Sequence, residues 1–180
     1  MLAARTPAQI VSFNKMLGQL QDAGNTVTLA HYLHLLESSF LVSGVNVYSA
    51  GVLRQRASSP KLLFWNNALP SALAGIPFAQ SRRKGEWWGR LVENAVGAHL
   101  VNQLPTGAQL SYWRDGDLEV DWVLERGARL VALEVKSGVP KGARGLAAFA
   151  RKYPKARALI IGQGGIPLET FFSTAPEALL

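Results

Sequence analysis

The sequence predicts a mixed α/β protein, and three observations carry that expectation. An amphipathic run from Trp87 to Leu104 places Trp88, Leu91, Val92, Ala95, Val96 and Leu100 at helical spacing. Two stretches, 118–124 and 133–136, alternate apolar and polar residues as β-strands do. Ala158-Leu159-Ile160-Ile161 is a short, wholly apolar run of the kind found in a buried, usually parallel, strand.

Taken in order, the elements divide the chain into a helical module at 1–70, a connector at 71–85 and an α/β unit at 86–180. Thr6-Pro7 has the form of a helix start, with a capping hydroxyl and proline at the first helical position. Ile10, Phe13, Met16, Leu17 and Leu20 would form its apolar stripe, and Ala23-Gly24 its end. Asn25 or Thr26 can cap a second helix running through Leu29, Leu33, Leu36 and Phe40. Phe40–Tyr48 and Lys61–Trp65 then read as strands, giving a winged-helix-like arrangement with Arg54, Arg56 and Lys61 decorating the wing. The connector holds Gly75, Pro77 and a basic triplet. Beyond the helix that Pro105 and Gly107 end, Glu125-Arg126-Gly127-Ala128 is a hairpin turn in which Gly127 can take positive φ. Gly145 to Tyr153 forms a short helix ended by Pro154.

Composition narrows the chemistry. The 180 residues include no cysteine, which excludes disulfides, thiolate zinc sites and cysteine nucleophiles. No apolar run is long enough to span a bilayer and the start lacks the order of a signal peptide, so no membrane association and a cytoplasmic setting are expected. The net charge of +7 is unevenly spread. Arg82, Arg83 and Lys84 precede the long helix, and Lys141, Arg144, Arg151, Lys152 and Lys155 follow the second alternating strand. The acids gather at Asp115, Asp117, Glu119, Asp121 and Glu125. An acidic locus ringed by basic segments suits a polyanion such as nucleic acid, and those eight cations are the candidate contacts; a solvated basic surface is the alternative.

Within the acidic locus, Asp121 lies in Leu118-Glu119-Val120-Asp121-Trp122-Val123-Leu124, and Glu134 and Lys136 in Leu133-Glu134-Val135-Lys136-Ser137-Gly138. Alternation sets Glu134 and Lys136 on one strand face, and an even hairpin loop brings Asp121 to that face. Two carboxylates and an ammonium at one sheet edge can hold a hard divalent cation; a solvated hairpin face is the other reading. Leu130 and Ala132 precede Glu134 on its face, which favours partial burial and hence a site. Glu93, on the long helix, faces either Asp121 or water.

A helix glutamate, then Glu119-Val120-Asp121, then Glu134-Val135-Lys136 resembles the PD-(D/E)XK, or restriction-endonuclease-like, nuclease superfamily. Tyr112-Trp113-Arg114, Trp88-Gly89-Arg90-Leu91-Val92-Glu93-Asn94 and the two strand motifs further resemble the C-terminal domain of unknown function in a prokaryotic group of AAA-type ATPases. Tyr32-Leu33-His34-Leu35-Leu36-Glu37 and Ser59-Pro60-Lys61-Leu62 are similar to that group's upstream segment. The resemblance implies a three-layer domain around a mixed sheet. It makes Asp121 and Glu134 ligands of Mg or Mn, Glu93 an additional ligand, and Lys136 the group that orients water or stabilises charge. Val120 stands where the superfamily places proline. The activity implied is metal-dependent cleavage of DNA. The alternatives are an inactive nucleic-acid-binding or regulatory module of the ATPase, and a protein-interaction platform. Gly162-Gln163-Gly164-Gly165 lacks the spacing of a phosphate loop and no Walker motif occurs, so the ATPase is expected as a separate segment or subunit.

Overall fold

The computed structural model describes residues 6–18, 24–49, 59–138 and 142–180. The protein is a mixed α/β structure with two sheets. Helices α1 (Phe13–Leu17) and α2 (Thr26–Ser38) lead into strands β1 (Val42–Val45) and β2 (Lys61–Phe64), which pair antiparallel. Helices α3 (Ala68–Ala74), α4 (Phe78–Arg83) and α5 (Gly85–Asn102) follow. Then come β3 (Gln109–Asp115), β4 (Leu118–Arg126), β5 (Arg129–Lys136), α6 (Arg144–Lys152), β6 (Arg157–Gly162) and α7 (Leu168–Phe172). The second sheet has the order β3-β4-β5-β6; β3-β4 and β4-β5 are antiparallel, and β5-β6 are parallel through the α6 crossover.

This sheet is buried on both faces. On one, Val96 and Leu100 of α5 pack with Trp122, Leu124, Val131, Leu133 and Ile161. On the other, Leu146 and Phe149 of α6 cover Trp113, Val120, Val123 and Ala132. Gly127 takes φ +59° in the turn between β4 and β5, a conformation that costs a glycine little.

The first helix differs from its sequence expectation. Thr6-Pro7 does not begin it; α1 begins after Ser12. The reason is that β2 captures the preceding backbone: Ala8 N donates to Leu62 O at 2.9 Å and Val11 N to Pro60 O at 2.9 Å. Leu20 and Ala23 lie outside the described residues. The second helix is capped by Asn25, whose side chain accepts from Val27 N and Thr28 N.

Strand β2 serves two cores. Leu62 and Phe64 pack with Val11 and Val42 beneath α2, whereas Leu63 joins Val96 and Trp122. Asn94 of α5 clamps the strand, accepting from Phe64 N at 2.9 Å and donating to Phe64 O at 3.0 Å. Lys61 therefore does not decorate a solvent-facing wing: it is fully buried, because the strand bearing it is covered on both sides. Arg54 and Arg56 lie outside the described residues.

Candidate functional site

A β-bulge builds the site. Ser111 pairs with Val123 and Trp113 with Val120, so Asp121 and Trp122 together oppose Tyr112. The extra residue breaks strict alternation. Val120 and Val123 both enter the core under α6, while Trp122 enters the core under α5. Trp122 Nε1 donates to the Glu93 carbonyl at 3.1 Å, which ties the bulge to α5.

Glu93, Glu119 and Asp121 converge there, with one carboxylate oxygen from each within 4.8 Å of the others. The Lys61 ammonium stands among them, 2.5 Å from Glu93 Oε1, 3.0 Å from Glu119 Oε1 and 3.9 Å from Asp121 Oδ1. It also donates to the Asp121 carbonyl at 3.2 Å and lies 4.8 Å from the centre of a Trp122 ring. Asp121 Oδ2 accepts from Val135 N at 2.7 Å, which fixes the carboxylate against β5. Glu134 and Lys136 pair with each other at 2.6 Å on the adjacent strand. Glu134 Oε2 is buried with no hydrogen-bond partner.

The electrostatics follow from this crowding. Burial alone would lower the Lys61 pKa, but Glu93, Asp121 and Glu119 outweigh it and hold the ammonium well above its ordinary value. Burial, followed by the Asp121 charge, pushes Glu93 up to about 8 against the pull of Lys61. Asp121 is also raised by burial, opposed by Lys61 and the Val135 N–H. Glu134 is raised by burial and then by Asp121.

The structure thus gathers Glu93 and Asp121 with two residues that sequence reasoning did not assign to the site, Glu119 and Lys61. Glu134 and Lys136 form a neighbouring pair rather than part of the three-carboxylate set. Glu119 was visible in the sequence as the other acid of Glu119-Val120-Asp121. Lys61 carried a weaker signal, a lone cation heading the apolar strand Leu62-Leu63-Phe64.

Among the basic candidates, Arg82, Arg83, Lys84, Arg144, Arg151, Lys152 and Lys155 are exposed, and Lys141 lies outside the described residues. Lys152 is tied to Asp115 at 2.8 Å and lies over Trp113. A cleft of about 360 Å³ opens on the acidic cluster, lined by Ala8, Gln9, Ile10, Arg90, Glu93, Arg114 and Glu119.

The donor set fits a hard divalent cation. Such ions take carboxylate oxygens, and here three carboxylates converge while a fourth nearby has a buried oxygen without a donor. With every group ionised, the four carboxylates outnumber the two ammonium groups among them.

No helix among the described residues is long and apolar enough to cross a membrane. The curated proteins give no match to the chain. Among solved structures it is similar to protein VC1899 from Vibrio cholerae, at 19% identity and a TM-score of 0.26. That similarity covers 89% of this chain but 41% of the other, so the chain spans well under half of that protein's length. Residues 88–173 match the family model of a domain of unknown function, DUF4143, and residues 1–80 match that of a second, DUF8612.

Proposed function

We propose that this chain is a metal-dependent nuclease acting on DNA, with Mg or Mn held by Glu93, Glu119 and Asp121 and with Glu134 as a further ligand. The observation that carries the reading is the surplus of carboxylate over ammonium at the start of β4 and the end of β5, including the donorless Glu134 Oε2. The bound ion would polarise a phosphate oxygen and make water more acidic. Asp121 is held in place by Val135 N–H and Lys61. Lys136, anchored by Glu134, supplies positive charge for the anion that develops at phosphorus. The sequence resemblance supports an AAA-type ATPase segment or subunit as partner, and a chain with no cysteine suits a reducing cytoplasm.

The test is incubation of linear and circular DNA with Mg or Mn. Wild type should cut, Asp121→Asn and Lys136→Ala should not, and Asp121→Asn should also lose the thermal stabilisation that metal gives wild type. Stabilisation of about 2.7 kcal/mol is expected at a metal concentration a hundredfold above Kd. A wild-type chain that neither cuts nor responds to metal overturns the reading.

One observation favours a second reading: the Lys61 ammonium already fills the carboxylate cage. A cage whose centre is taken by an ammonium suits a nucleic-acid-binding or regulatory module without turnover. Salt-dependent DNA binding without cleavage would select it, and absence of both would leave a protein-interaction platform.

A further inference from the structure

The apolar stripe of α5 is longer than the sheet it packs on. Val96 and Leu100 join the sheet core. Trp88, Leu91 and Ala95, at helical spacing before them, instead line a groove closed by Phe78 of α4 and by Leu168 and Phe172 of α7. The Phe78 ring meets Trp88 edge-on, with centroids 5.7 Å apart, yet the residue is 69% exposed. Polar lining is slight, and the Asn67 amide within it is already engaged. It donates to Leu91 O and accepts from the Asn94 side chain, each at 2.8 Å.

One rim of the groove is basic. Arg82 follows Phe78 by four residues on α4, so the two share a face. Lys84 O accepts from Trp88 N at 2.8 Å, which sets the end of the triplet beside the other aromatic wall. Arg82, Arg83 and Lys84 are all exposed, and none is in an ion pair among the described residues. Helices α3 and α4 carry no acid and α7 carries only Glu169. Glu86, the next acid after the triplet, is taken by Arg90.

We infer that this groove docks an amphipathic helix of a partner protein, with its apolar side chains between Phe78, Trp88 and Phe172 and its carboxylates facing Arg82, Arg83 and Lys84. The walls are helices, so they offer no strand edge to an extended peptide. The occupant's backbone must satisfy itself, as a helix does. Exposed aromatic rings around an apolar hollow are the anchors such contacts use, and the unpaired cations select an acidic partner. A second copy of this chain would bring two unpaired basic triplets together on a protein of net charge +7. A nucleobase buried between these walls would leave its polar edges without partners.

The inference stands apart from the carboxylate cluster and from any cleavage there. Its probe is a fluorescein-labelled amphipathic peptide of about 15 residues, long enough to form a helix alone, with leucines on one face and glutamates on the other. The full chain is titrated into it and followed by anisotropy, beside a lysine-for-glutamate version and a version with the leucines scrambled. The leucine–glutamate helix should bind more tightly than both, and less tightly as salt rises. Phe78→Ala should weaken it about tenfold. Arg82→Glu, Arg83→Glu and Lys84→Glu together should reverse the preference, so that the lysine version binds better. These positions are exposed, and an unaltered circular dichroism melt shows that the variants fold.

Equal affinity for the scrambled peptide, or wild-type affinity in Phe78→Ala, overturns the groove. Equal affinity for the lysine version overturns the acidic partner. Competition by an oligo-dT strand or by phosphatidylglycerol vesicles, lost in Phe78→Ala, would assign the face to nucleic acid or to a lipid surface and overturn the protein helix.

Discussion

Lys61 Nζ stands 2.5 Å from Glu93 Oε1, and the lysine side chain has no exposure to solvent. The ammonium also reaches Glu119, 58 residues away in sequence, at 3.0 Å. One buried cation thus joins the strand pair β1-β2, the long helix α5 and the bulged strand β4 at a single point. Taking an ammonium out of water is costly, and here that cost is offset only because three carboxylates and a carbonyl surround it.

Lys61→Met should destabilise the protein by about 3–5 kcal/mol at pH 8, since it strands buried carboxylates without their counter-charge. The loss should shrink at pH 5 as those groups protonate, and it should shrink on adding Mn if the cluster takes a metal. Urea denaturation at the two pH values measures it. A pH-independent, near-zero effect would show that the ammonium does not hold the cluster together.

The raised pKa of Glu93 gives the stability a definite slope with pH. Its ordinary value is 4.5 and its folded value about 8. Between these, the folded protein keeps a proton that the unfolded chain has released, so this group's contribution is full below about pH 4.5 and is lost as pH rises through about 8. Metal-free protein should therefore lose stability from this group across that window, and Glu93→Gln should flatten the trend. Metal requires the ionised carboxylate, so its stabilising effect should grow with pH over the same range. Tm measured against pH, with and without Mn, is the check; the same slope in wild type and Glu93→Gln would refute it.

Asn94→Ala should cost about 3 kcal/mol, because both backbone groups of Phe64 lose their buried partner. Phe64 ends the strand that Lys61 begins, so the variant should also weaken metal binding although Asn94 touches no carboxylate of the cluster. Chemical denaturation together with a metal titration separates the two effects. Wild-type metal affinity at reduced stability would confine Asn94 to a structural role.

Gly145→Ala tests how α6 seats the site. A methyl group there would overlap the carbonyl oxygen and backbone of Glu119. Helix α6 would have to lift from β4, at a cost of about 3 kcal/mol, and Glu119 would move with it. Loss of stability and of metal response together is the expected result in thermal melts. Full tolerance would mean that the contact between helix and strand is looser than the backbone approach indicates.

The long helix was legible because its apolar spacing and its Pro105 stop are local. Strands β4 and β5 were legible through alternation, and their turn through Gly127. Asn25 capped the second helix as a residue of that type does. The start of the first helix was misread because a local cap signal at Thr6-Pro7 lost to hydrogen bonds with β2, a partner far away in sequence.

What the sequence by itself determined is therefore the mixed α/β class, most of its elements, and the presence of Glu93 within the long helix and of Glu119, Asp121 and Glu134 on the two alternating strands. Tertiary structure alone decided which of them meet. The bulge at Asp121-Trp122 shifts side-chain parity by one residue, a change invisible in a pattern whose period is two. The Glu93, Glu119 and Asp121 cluster gathers at that bulge, with the Glu134–Lys136 pair beside it on the neighbouring strand. Lys61 entered the cluster for a related reason: a lysine heading a strand is exposed by default, and only packing on both sides of β2 leaves it nowhere to go but toward the carboxylates that neutralise it.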